Sequence, residues 1–114
     1  MPSGAADRLA QLVEDLSAAG VRATADQRTL NPPGALVALH AVAFTRLAGL
    51  DVEAVVYLVA PNAGTLDALA VLDNMIDPAA LVTGADRFEA FPLSNLDGGD
   101  PLPALRATIT LPTC

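Results

Sequence analysis

Leu9, Leu12, Val13 and Leu16 recur three and four residues apart, the spacing that lines apolar side chains along one stripe of an α-helix. Ser3 can cap such a helix near Gly4, Asp7 sits favourably in its first turn, and Gly20 falls where a glycine ends one. A short strand over 21–25 is expected next, followed by a polar connection over 26–31. The quartet Asn31-Pro32-Pro33-Gly34 then interrupts the pattern. Proline cannot donate to a sheet ladder, and it pushes the residue before it out of the helical region. A stiff, extended lead into a buried strand beginning at 35–39 is the reading. Over 40–50, "HAVAFTRLAGL" allows strand, bulge or turn.

Residues 52–60, "VEAVVYLVA", carry the strongest strand signal, rich in β-branched and aromatic side chains. Pro61-Asn62-Ala63-Gly64 reads as its terminating turn, and Thr65 as the cap of a second helix. The apolar stripe of that helix is expected at Leu66, Leu69, Leu72 and Ile76, with Asp77-Pro78 closing it or opening its last turn. A strand over 86–91 should place Phe88 and Ala90 on one face. "SNLDGGDP" is a loop, and 105–111 alternates cleanly, with Leu105, Ala107, Ile109 and Leu111 inward and Arg106, Thr108 and Thr110 outward. The order α-β-β-β-α-β-β, with short connections, predicts an α+β domain spanning 1–114. Both amphipathic helices would pack on one face of a mostly antiparallel sheet with hairpin-linked neighbours.

Composition narrows the function. At 114 residues, 53% hydrophobic and 17% charged, the chain suits one folded core; 4% aromatic content means that Val, Leu, Ile and Ala must build it. The net charge is −7 and every basic residue is arginine, so there is no P-loop, Schiff-base or general-base lysine. The arginines are scattered along the sequence, without the basic patch that phosphate neutralisation needs. Cys114 cannot form an internal disulfide, "MPSGAADRLAQ" is no signal peptide, and no apolar run approaches a membrane span of roughly 20 residues. The expectation is an acidic, soluble, intracellularly made protein without membrane contact.

Candidate chemistry is thin. His40 is the only histidine and lacks partners for a zinc site, so a polar residue at a strand end is the better reading. Asp67, Asp73 and Asp77 on the second helix fit a solvated face better than a cation site. Asp97 to Asp100, "DGGD", lacks the spacing of a calcium loop and reads as a mobile acidic loop, a weak partner contact. "PNAGT" before a helix could hold an anion, yet no basic residue lies near it in sequence. Ser3, Ser17 and Ser94 lack the glycines of a nucleophile elbow, and a chain-terminal thiol has no preorganised surroundings. No enzyme, cofactor or metal is expected.

The stretches "DRLAQLVEDLSAAGVRAT", "LNPPGALV", "VEAVVYLVAPNAGTLDALAVLDNMID" and "LPALRATITLPT" resemble the small tail-terminator (tail-completion) proteins of long-tailed bacteriophages. The likeness is greatest to those of high-GC hosts, whose chains share this lysine-poor, Ala- and Pro-rich style. It spans nearly the whole chain. It implies an α+β subunit of a ring, usually hexameric, in the neck region of the virion after synthesis in the host cytoplasm. Such a ring stops polymerisation of the tail tube protein, joins the head-side connector or stopper, and lets genomic DNA pass without sequence-specific binding. The family has no catalytic residues to carry over.

Ring contacts need apolar area and covered strand edges. Phe44, Leu47 and Leu50 are candidates for the subunit interface, with Arg46 pairing to a neighbour's carboxylate; filling the domain's own core is the competing role. Asp51, Asp97 and Asp100 are loop candidates for an acidic lumen that repels DNA. Rival readings are another head–tail joining or minor tail protein, and a ferredoxin-like regulatory domain holding a metabolite around Gly64 and Thr65.

Overall fold

In the computed structural model, which describes residues 5–26, 28, 30, 33–45, 49–61, 65–91 and 102–113, three long strands carry the architecture. The elements run α1 (Ala5–Ala18), β1 (Ala23–Thr24), β2 (Gly34–Thr45), β3 (Gly49–Val59), α2 (Thr65–Thr83), β4 (Glu89–Ala90) and β5 (Ala104–Thr113). This is the α+β order that the hydrophobic pattern gives. The sheet is ordered β1-β2-β3-β5-β4. The β2–β3 hairpin and the β3–β5 and β4–β5 pairs are antiparallel.

β1 departs from the expectation of hairpin neighbours: it pairs parallel to β2, Ala23 opposite Ala35 and Thr24 opposite Leu36. Parallel neighbours ordinarily need a long crossover. A two-residue strand spans only about 7 Å, however, so residues 25–33 suffice to carry the chain back to its starting level. β1 and β4 are both shorter than the five- and six-residue strands expected at 21–25 and 86–91.

Both helices cover one sheet face. Leu12 and Leu16 of α1 meet Ala68, Leu72, Met75 and Ala79 of α2 over Ala35, Val37, Val52, Ala54, Val56, Leu58 and Ile109. The end of α1 follows from Gly20, whose φ of 95° only glycine adopts readily. Val21 N–H donates to Leu16 C=O at 2.9 Å and Gly20 N–H to Ser17 C=O at 3.1 Å. That is the Schellman pattern, and its accompanying apolar contact is made by Val21 and Leu16, both buried.

α2 differs from the sequence expectation twice. Its buried stripe is Ala68, Leu72, Met75 and Ala79, whereas Leu66 and Leu69 are 82% and 44% exposed. Small alanines let the helix lie close to the sheet, and closeness rather than leucine count sets the buried face. The helix also runs past Pro78, which leaves the Asn74 carbonyl without its intrahelical donor, and ends at Thr83. Gly84, at φ 72°, closes it through a single N–H bond to Ala80 C=O of 2.8 Å.

A register shift in the hairpin sits between Leu39 and Ala41, so His40 is the extra residue of a β-bulge. Ala35 and Val37 are buried as expected, but Leu39, beside the bulge, is 51% exposed. In β5, Ala107 and Ile109 are buried and Thr108 and Thr110 exposed, in keeping with the alternation read from sequence.

Candidate functional site

The face of the sheet away from the helices is where polar and aromatic side chains gather. Alternation along three antiparallel strands puts Tyr57 opposite Leu36 and Arg106, and Val59 opposite Gly34 and Ala104. Leu36, Val59 and Ala104 are buried there under partly buried Leu30, Tyr57 and Leu102. Phe91 lies beside this small cluster, its ring 5.8 Å from that of Tyr57 at 45°. The Arg106 guanidinium stands 4.1 Å over the Phe91 ring, a cation–π arrangement. Glu89 accepts from Arg87 at 3.1 Å and lies 3.8 Å from Arg106, so two arginines share one carboxylate.

Arg87 and Glu89 are exposed and Arg106 is half-buried, and surface pairs of this kind contribute at most about 1 kcal/mol each. Their role is to fix the short β4 against β5. Sequence reasoning missed the cluster because "DRFEAF" and Arg106 are joined only through the register Glu89 opposite Arg106. The pairing of charge signs in these two segments is the one sequence signal that could have suggested it.

The cleft of about 200 Å³ at this edge is lined by Ala85, Asp86, Arg87, Glu89, Arg106 and Thr108, among others. A second cleft, of about 450 Å³, opens between Val21, Arg22, Pro33, Val71, Asn74 and Met75. Among the described residues there is no group of three or more His, Cys, Asp or Glu able to hold a metal. Among them, too, no helix is long and apolar enough to cross a membrane.

The residues singled out from sequence fall as follows. Phe44 and Leu50 are brought together as direct cross-strand partners near the end of the β2–β3 hairpin. Asp51, expected in a loop, is a strand residue of β3 with Ala43 and Pro112 as its neighbours. Arg46, Leu47, Asp97 and Asp100 lie outside the described residues, as do Gly64, Ser3, Ser94 and Cys114. His40 is exposed at the bulge, and Asp67, Asp73 and Asp77 are exposed on the outer face of α2. Thr65 is the first residue of α2, and the two clefts described above lie elsewhere.

Comparison with protein-family models, with characterised proteins and with solved structures finds no match for this chain.

Proposed function

We propose that the chain is a structural subunit of a tail-terminator ring. Copies of it, usually six, would cap the head-proximal end of a phage tail tube, halt tube polymerisation and meet the head-side connector or stopper. DNA would pass through the central hole. The reading rests on the resemblance of four segments. The observation that carries it is their order: a helix passing straight into the sheet, a proline-led long hairpin, a strand-turn-helix and a terminal strand, in the succession α-β-β-β-α-β-β.

Two further features suit a ring subunit. The long hairpin runs on from Val52, a buried core residue, through residues 42–45 and 49–51, where Phe44 and Leu50 are cross-strand partners. Apolar residues on an extended arm suit contact with a neighbouring subunit. A net charge of −7 suits a lumen through which phosphate must slide.

The deciding experiment is the mass of the purified protein by light scattering, with negative-stain imaging, alone and with tail tubes. Rings of about six copies, or monomers that become rings on tubes, are the expected result. A stable dimer that tightens on adding a metabolite would refute it. Binding to the portal side with no capping of tubes would move the chain to the stopper class instead.

A further inference from the structure

The sheet is five strands wide at one end and three at the other. β1 reaches only Ala35 and Leu36 of β2, and β4 reaches only Leu105 and Arg106 of β5. Those four residues lie at one level of the sheet, opposite Leu58 and Tyr57 of β3. Toward the hairpin end, no described strand lies beside the outer edge of β2 beyond Leu36 or of β5 beyond Arg106.

The backbone groups on these edges are directed outward. Ala35 N–H donates to Arg22 C=O at 2.7 Å, away from β3, and by alternation Val37 and Leu39 present their groups on the same side. On β5, Pro103 C=O accepts from Ala60 and Ala104 C=O from Phe91, so the even-numbered residues point outward. Thr108 and Thr110 offer both groups there, and Pro112 stands where a missing N–H costs β3 nothing. Exposed edges are ordinarily blunted by charges, prolines or bulges, and these two edges carry only the bulge at His40 and Pro112. Residues 35–45 and 107–113 contain no Asp, Glu, Lys or Arg.

Resting on the ring reading above, we propose that the outer edge of β5 in one copy pairs in parallel with the outer edge of β2 in the next, giving a closed, funnel-shaped sheet. β2 and β5 each run antiparallel to β3, so they run in the same direction on opposite sides of the subunit. Head-to-tail repetition of such edges rotates about an axis along the strands and can close. With strands about 4.8 Å apart, each subunit is about 14 Å wide at the hairpin end and about 24 Å at the other. Six wedges of that shape close at about 28 Å across the narrow end and about 46 Å across the broad end, backbone to backbone.

At the broad end β4 of one copy would abut β1 of the next, bringing exposed Arg22 and Arg28 near exposed Asp86. Glu89 is already shared by Arg87 and Arg106 within its own copy.

The test uses the full chain with Cys114→Ser, carrying either Thr110→Cys or Ala41→Cys; both positions are on the uncovered face in the row of Glu53. Mixing the two variants under oxidation should give a disulfide dimer, and the double variant a ladder ending at the ring size. Neither single variant should cross-link alone. In parallel, Thr110→Pro, which removes one outward N–H and leaves the β3 ladder whole, should give folded monomers. Self-cross-linking of Thr110→Cys would mean two-fold pairing of β5 and overturns the proposal. Rings that form without the mixed cross-link, or that survive Thr110→Pro, overturn it while leaving the ring reading intact. A chain that stays monomeric at all concentrations, with and without tail tubes, overturns both.

Discussion

Leu66 and Leu72 of α2 stand six residues apart and look equally apolar in the sequence, yet they should differ sharply when cut to alanine. Leu72 is 2% exposed and packs in the main core with Leu16 and Val56, whereas Leu66 is 82% exposed. Truncating a buried leucine removes its transfer free energy and leaves a cavity, together about 2–5 kcal/mol. Truncating an exposed one falls within about 0.5 kcal/mol. For a domain of this length, native stability of about 5–15 kcal/mol makes Leu72→Ala a loss of a substantial fraction. Each kcal/mol corresponds to about 4 °C in Tm, so a drop of about 8–20 °C is expected, against about 2 °C or less for Leu66→Ala. Urea unfolding followed by circular dichroism measures both, with an unchanged slope confirming that the folded state kept its compactness. If Leu66→Ala cost more than 2 kcal/mol while Leu72→Ala were mild, α2 would be rotated to the leucine stripe and the alanine-lined interface would be wrong. Ala79→Leu is the converse check: Ala79 is fully buried, and overpacking it should cost about 1–3 kcal/mol.

Three further outcomes are expected. Gly20→Ala should destabilise by about 1 kcal/mol in the same unfolding assay, because its φ of 95° strains any L side chain although nothing lies within 4 Å of the added carbon; no loss would mean the helix ends differently. Pro78→Ala restores an intrahelical donor and should raise stability by about 1–3 kcal/mol, with destabilisation counting against a helix continuous to Thr83. Replacing Phe44 and Leu47 together with serine should release folded monomers from the ring, as read by light scattering; unchanged rings would remove that segment from the interface.

Much of the fold was legible because local periodicity and core packing agree. α1 shows this best: Leu9, Leu12, Val13 and Leu16 are all buried or half-buried, and Gly20 ends the helix as its lack of a side chain allows. α2 was legible as a helix but not in its facing, since apolar residues surround it and nothing local says that alanines rather than leucines touch the sheet. Such a helix has weak amphipathic asymmetry, and tertiary contact decides. The blur at 40–50 has a clear cause. The extra residue at His40 shifts the alternation by one, so that Leu39 stands opposite Ala54 while Val42 stands opposite Val52. A strict period of two cannot be read across that shift. The parallel pairing of β1 and the union of Glu89 with Arg106 were invisible because both depend on partners distant in sequence. The candidate interface was legible only as a stretch of apolar residues, of which the structure joins Phe44 to Leu50 as cross-strand partners.

The charge distribution bears on assembly with a definite sign. Each copy carries −7, so association brings like charges together, while the arginines at the broad end offer local attraction. The molecule measures 28 by 22 Å in cross-section, so the net charges of copies lying side by side are separated by distances of that order. This is within the Debye length of about 30 Å at 0.01 M salt and well beyond the about 8 Å at 0.15 M. Raising salt over that range therefore removes most of the long-range repulsion. Pairs such as Arg22 or Arg28 of one copy with Asp86 of the next would be close and partly covered, and are screened less. Repulsion between whole subunits loses more than the local pairs do, so association should strengthen from 0.01 to 0.15 M salt, read as a falling monomer fraction in sedimentation. A monomer fraction that rises instead would show that specific ion pairs, not apolar contact and backbone pairing, hold the copies together.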